Sequence, residues 1–269
     1  MLKEERQRRI LEILHSEGRV VAAELPALLG VSSHTARRDL EELSETGRLQ
    51  RVHGGAVARS PVAPTYAGRE RQAVSGKLAV ARAAVRLLEP GQVAILDGGT
   101  TALHLVDAIS RDHTGTFVTH SPLVAAALGR RGGLDVVIVG GSLDPEAMVA
   151  VGAEAVGAYE RITADVCFLG VWSLSPTAGI SSGHYEEAML RRVMLGRADR
   201  VVGLCSREKL GTVARFHSGP ATALTHIATE PDVPEELLAP FRELGIHVVA
   251  EPNDRRPRPG SAAPALPDR

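Results

Sequence analysis

From about residue 76 to residue 249 the chain repeats a single pattern, a short apolar run followed by a stretch of helical period. The apolar runs fall at 93–96, 116–119, 135–139, 166–169, 201–204, 224–228 and 247–249. Helical spacing lies between most of them. In 76–88 it places Leu78, Ala81, Val85 and Leu88 on one stripe, three and four residues apart. Strands that alternate with helices pair in parallel through crossover connections. The expectation is therefore an α/β domain with a mostly parallel sheet, spanning 74–250. Aromatic residues are only 3% of the chain while apolar residues are 44%, so the core must be aliphatic. That suits helices on a buried parallel sheet better than a β-sandwich. Ligands of such sheets collect at the carboxyl ends of the strands.

The first 57 residues follow a different rule. Ile10, Ile13 and Leu14 mark one helix that ends near Gly18, and 22–29 marks a second that buries Leu25, Leu28 and Leu29. Gly30 allows a tight turn, and Ser32 is placed to cap a third helix. In that third helix Ala36, Leu40 and Leu43 share a face, which leaves Ser33, His34, Arg37 and Arg38 open on its first two turns. N-terminal residues of a recognition helix are those that reach base edges, and Arg pairs bidentately with guanine. Thr35 belongs with them, since Ser and Thr hydroxyls reach bases or phosphates. The basic, alternating run Arg48–Val57 with Gly54-Gly55 at its turn reads as a two-stranded wing that brings Arg51 and His53 to the phosphate backbone. A helical bundle with a solvated charged face would also carry an Arg pair. The ordered set of turn glycine, Ser cap, Arg-Arg and basic wing favours a winged helix-turn-helix over 1–57.

Residues 58–73 contain Pro61, Pro64 and Gly68 without periodicity and read as a linker. Five prolines lie between Pro252 and Pro267, so 251–269 reads as a disordered tail.

Three turns in the large domain offer anion contacts. The first is Asp97-Gly98-Gly99-Thr100-Thr101, between a strand and a helix. Backbone amides, Thr hydroxyls and the helix dipole make such a turn an anion site, while an ordinary βα turn with a Thr cap would read the same way. The second is Gly140-Gly141-Ser142, and the third is Lys209-Leu210-Gly211-Thr212, where Lys209 is either a phosphate partner or a solvated lysine. His120 is open to two readings, a donor to a ligand oxygen or a satisfied structural histidine.

The run Val31-Ser32-Ser33-His34-Thr35-Ala36-Arg37-Arg38-Asp39-Leu40, followed by Arg51-Val52-His53-Gly54-Gly55-Ala56, resembles the DeoR family of bacterial sugar-responsive regulators. The resemblance continues through the loops above to Thr229-Glu230 and covers most of 1–250. It implies a DNA-binding transcriptional regulator, usually a repressor, whose larger domain is similar to ribose-5-phosphate isomerases and senses a phosphorylated sugar or its catabolite. Carried onto this chain, the family's pattern points to Asp97, Thr100, Thr101, Gly140, Gly141, Glu187 and Lys209, with Gly99 and His120 added from the loops themselves. The chain departs from that pattern at His120 (usually Asn), at Ser206 and Glu208 (usually Asp and Ser), and at Arg191 (usually Lys).

A sugar-phosphate isomerase with a DNA-binding appendage is the rival reading. Proton transfer in isomerisation needs a positioned base. The stretch Gly170-Val171-Trp172-Ser173-Leu174-Ser175-Pro176 carries no carboxylate where those enzymes hold theirs, so binding without turnover is expected. The net charge of −1 argues against coating nucleic acid non-specifically. Cys167 and Cys205 sit in apolar runs and form no cysteine–histidine cluster, so no metal and no cofactor is expected. There is no apolar signal region and no membrane-length apolar run, which points to the cytoplasm. One winged helix makes a small footprint, so operator DNA should be read by a homo-oligomer.

Overall fold

The computed structural model describes residues 1–17 and 19–251. The expected tail lies outside the described residues apart from Glu251, and so does Gly18. The N-terminal domain runs α1 (Lys3–Glu17), β1 (Arg19–Val21), α2 (Leu25–Leu29), α3 (Ser33–Glu45), β2 (Gln50–Val52) and β3 (Gly55–Arg59). Ile10, Leu14, Leu25, Leu29, Ala36, Leu40, Leu43 and Leu49 form its core. The second helix is shorter than expected, and Leu28 is exposed rather than buried. Pro26 at its first turn starts it late, so Leu28 rotates off the core face. Strand β1 was not expected, because its three residues are too few to show alternation. It pairs antiparallel with β3, whose other side pairs with β2. Both wing glycines are required. Gly54 turns with φ 83°, and a Cβ on Gly55 would overlap the Val20 carbonyl oxygen.

The segment 58–73, expected as a linker, is built into the structure. Strand β3 runs into it, and α4 (Tyr66–Arg71) follows, capped by the Thr65 hydroxyl, which accepts from Gly68 N at 3.2 Å. Gln72 accepts from Ala63 N at 2.9 Å and donates to Pro61 O at 2.9 Å, folding the segment on itself. Its prolines and glycine hid a helix of six residues, too short for a periodic signal.

The large domain runs α5 (Val74–Val85), β4 (Val93–Leu96), α6 (Thr100–Ala108), β5 (Gly115–Thr119), α7 (Pro122–Gly129), β6 (Leu134–Ile138), the hairpin β7 (Ser142–Asp144) and β8 (Val149–Val151), and α8 (Ala153–Tyr159). It continues with β9 (Ala164–Gly170), β10 (Ser173–Ser175), β11 (Gly179–Ser182), α9 (Tyr185–Met194), β12 (Ala198–Leu204), β13 (Thr212–Val213), β14 (Phe216–Gly219), β15 (His226–Thr229), α10 (Glu235–Glu243) and β16 (His247–Ala250). Seven strands form one parallel sheet in the order β16-β15-β12-β9-β4-β5-β6. These are the seven apolar runs of the sequence. One face packs residues of α5, α6 and α7 against Leu96, Phe117 and Phe168. The other packs α8, α9 and α10 against Ile95, Cys167 and Ile227. The buried face of α5 carries Lys77, Val80, Ala81 and Ala84, whereas Leu78, expected inside, is exposed.

Chain order reverses between β4 and β9, so the crevice at their carboxyl ends is the topological switch point of the sheet. The two domains also share a sheet. Strand β13 pairs in parallel with β3 (Thr212 with Ala58, Val213 with Arg59), and Ser60 N donates to Val213 O at 3.2 Å.

Candidate DNA reader and effector pocket

Helix α3 begins where the sequence predicts. Ser32 is its N-cap, and its hydroxyl accepts from Thr35 N at 3.2 Å. Gly30 closes α2 in the left-handed conformation at φ 66°. Ser33, His34, Arg37 and Arg38 are exposed on α3, and Thr35 is half-buried. Arg37 has no partner among the described residues, while Arg38 pairs loosely with Glu42 at 3.4 Å. Arg51 leaves the wing to meet Glu41 of α3 at 2.7 Å, which ties the wing to the helix, and His53 stands exposed beside the Gly54 turn. Asp39 was not singled out by sequence. It is buried, and it accepts two hydrogen bonds from Arg6 at 2.7 and 3.0 Å, fixing α3 against α1. Its signal was its place on the Ala36, Leu40, Leu43 face, where a charged residue needs a partner.

In the large domain a recess opens at the switch point. Gly98, Gly99, Thr100 and Thr101 from the end of β4 line it, with Gly170, Val171 and Trp172 from the end of β9. Glu187 and Arg191 of α9, Lys209, and Val62 and Arg69 of the 58–73 segment complete the wall. Gly99 (φ 99°) occupies the N-cap of α6 without a side-chain hydrogen bond, so Thr100 is not a cap. Thr100 and Thr101 open α6 at the recess, and neither hydroxyl has a hydrogen-bond partner among the described residues.

Asp97 does not line the recess. It lies wholly buried below the loop and accepts from Gly98 N (2.7 Å), Gly170 N (2.8 Å) and Arg191 Nε (2.8 Å), pinning the ends of β4 and β9 together. Arg191 also donates to Glu187 at 3.0 Å. Burial alone would weaken its charge, but Asp97 and Glu187 outweigh burial and hold the guanidinium above its ordinary range. His120 is buried too, with Nδ1 3.0 Å from the Tyr159 hydroxyl and Nε2 3.4 Å from Asp97. Burial lowers its pKa and Asp97 opposes only part of that. Gly140 and Gly141 follow β6, two strands from β4, about 10 Å away at ordinary strand spacing. Gly141 there lets the β7–β8 hairpin leave the sheet against Val151.

The recess thus gathers Gly99, Thr100, Thr101, Glu187 and Lys209 of the expected ligand residues, and leaves Asp97, His120, Gly140 and Gly141 outside it. It adds Arg69, Arg191 and Trp172. Lys77 lies behind the wall, donating to the Arg69 carbonyl, and burial lowers its pKa to about 8. A lysine on the apolar stripe of α5 was the signal missed. Two larger cavities, about 570 and 470 Å³, lie at the seam between the domains rather than at strand ends.

No helix among the described residues is long and apolar enough to cross a membrane. Residues 6–62 match the DeoR-like helix-turn-helix domain and residues 72–231 the DeoR C terminal sensor domain. The HTH-type transcriptional regulator GlpR of Haloferax volcanii is 38% identical over 214 residues, covering 78% of this chain and 83% of that protein. A putative aga operon transcriptional repressor of Escherichia coli O157:H7 is 30% identical over 250 residues (91% and 93% covered). The HTH-type transcriptional repressor GlcR of Bacillus subtilis is 29% identical over 238 residues (86% and 89%). Among solved structures, ribose 5-phosphate isomerase A from Methanocaldococcus jannaschii aligns with TM-score 0.35 and 17% identity over 47% of this chain and 50% of that one. With a helix-turn-helix reader on one side and a matched sensor domain on the other, this chain belongs to the DeoR family of transcriptional regulators.

Proposed function

We propose that the chain is a cytoplasmic repressor of carbon-catabolism genes that binds operator DNA as a homo-oligomer and changes its affinity when a phosphorylated sugar or related small ligand fills the switch-point recess. The observation that carries the reading is the recess itself. The open first turn of α6, two Thr hydroxyls and the buried Lys209, all without a side-chain partner among the described residues, line one space at the carboxyl ends of β4 and β9. Those groups recognise a phosphate. Glu187, the only carboxylate on the wall among the described residues, accepts from Arg191 and from the Ser182 hydroxyl. A carboxylate so engaged is a poor general base, which supports binding without turnover.

The reader supports the DNA half of the proposal through Arg37, an exposed guanidinium without a partner among the described residues, in the first turns of a capped helix. Ligand and operator must favour different arrangements of the protein, and the coupling is bounded by their differential affinities. The test is operator binding by fluorescence anisotropy, with and without a panel of sugar phosphates. Wild type should respond to at least one of them. Thr101→Leu and Lys209→Ala should bind DNA as wild type does and lose the response. Equal responses in all three would place the effector elsewhere.

A further inference from the structure

Charges around the recess do not balance. Its one acidic wall residue among the described residues, Glu187, and the Asp97 beneath it both bind Arg191, at 3.0 and 2.8 Å. That leaves two buried cations on the same wall, Arg69 and Lys209, 9% and 7% exposed. Neither forms an ion pair among the described residues. Lys209 has no side-chain hydrogen bond there, and Arg69 donates only to the carbonyls of Ala63, Pro64 and Glu146. The Arg69 guanidinium lies 5.0 Å from the centre of the Trp172 ring, another wall of the recess. Cations this buried are ordinarily paired, because desolvation is otherwise uncompensated.

We propose that Arg69, carried by the segment between the two domains, is a direct ligand of the bound anion, and that Arg69 and Lys209 together select a phosphate monoester dianion. The inference rests on the recess being the effector site. Asp97 and Glu187 together offset Arg191 and one further cation, so the five groups leave a net charge of +1, to which the N-terminus of α6 adds about half a charge. A phosphate monoester carries between one and two negative charges at neutral pH, its second pKa being about 6, on three oxygens that these donors can share. A carboxylate brings one charge on two oxygens and a neutral sugar none. Arg69 provides a planar fork suited to phosphate oxygens, with Lys209 as a point charge and the α6 amides opposite.

The placement of the two cations gives the ligand a mechanical role. Lys209 lies three residues before β13. Arg69 lies ten residues after the end of β3, in a segment whose fold is closed by Gln72 on Pro61 and Ala63. Strands β3 and β13 pair with each other. An anion held by both cations therefore grips the two chain segments that lead out of the joint between reader and sensor.

Trp172 is the only tryptophan, so its emission reports on the Arg69 contact. The experiment titrates the full chain with inorganic phosphate, followed in parallel by Trp172 fluorescence and by melting temperature, at pH 5.5 and 7.5. Wild type should gain stability and change its emission, with tighter binding at pH 7.5, where the dianion prevails. Arg69→Gln keeps donors for the carbonyls but loses the charge. It should bind phosphate about tenfold more weakly or worse, lose the gain between the two pH values, and show no emission change. Arg69→Lys should recover part of the affinity, and serves as the test if the glutamine variant does not fold. Wild-type affinity and pH response in Arg69→Gln, with binding lost in Lys209→Met, would leave the anion site standing and overturn the role of Arg69. No phosphate effect on wild type by either readout would overturn the anion site itself.

Discussion

Asp97 separates a ligand residue from a scaffold residue most sharply. Its carboxylate is fully buried and accepts two backbone N–H groups and the Arg191 Nε within 2.7–2.8 Å. Asp97→Asn keeps one oxygen for a single backbone amide and turns an NH2 group toward the remaining donors. Breaking a buried ion pair from one side costs about 3–5 kcal/mol, and we take the lower end because Arg191 retains Glu187. A buried N–H left without an acceptor adds about 1–3 kcal/mol. The sum, roughly 4–6 kcal/mol, corresponds to a melting temperature lower by roughly 10–20 °C for a domain of this size. Urea and thermal unfolding followed by Trp172 fluorescence read the large domain directly. Lys209→Met, by contrast, removes an uncompensated buried charge and should leave stability unchanged or raise it. The reasoning is refuted if Asp97→Asn unfolds within about 1 kcal/mol of wild type while its phosphate response disappears, for Asp97 would then be a ligand residue.

Further expectations concern the reader and the buried lysine. Arg37→Ala should weaken operator binding by about 1–3 kcal/mol with folding intact, checked by anisotropy and circular dichroism. Glu41→Gln should tighten DNA binding and steepen its salt dependence, because it frees Arg51 from its 2.7 Å ion pair. Gly55→Ala should unfold the wing, seen as lost operator binding with the melting of the large domain near wild type, since a Cβ there overlaps β1. Lys77 releases its proton near pH 8 when folded but near 10.5 when unfolded. Between those values the unfolded chain binds the extra proton, so stability should rise with pH across that window, and less steeply in Lys77→Met. Urea midpoints from pH 7 to 10 decide it.

The parallel sheet was legible because each of its strands is a short aliphatic run, and 93–96 coincides with β4. The small antiparallel strands of the large domain were not. Strands β10 and β11 are buried throughout, yet they consist largely of serine and glycine and show no apolar alternation. In the reader, cap and turn chemistry at Ser32 and Gly30 carried the reading well, since one residue type fixes one local geometry. The pocket was only partly readable. Gly99, Thr100, Thr101 and Lys209 lie in loops whose composition advertises them. Arg69 and Arg191 matter because distant segments meet, which no local pattern records. Asp97 was found, but its place beneath the loop rather than on the recess wall was not, since residue type alone does not tell an inward carboxylate from an outward one.

The joint between β3 and β13 is made by main-chain hydrogen bonding, which asks little of the side chains involved. A different winged helix that ended in a strand of the same length and direction would dock on the same edge. Such a hybrid would inherit the ligand response of this sensor while reading another DNA sequence. A cut at residue 57 would remove Ala58 and Arg59, the partners of β13, and the splice point for a functional hybrid therefore lies after Ser60.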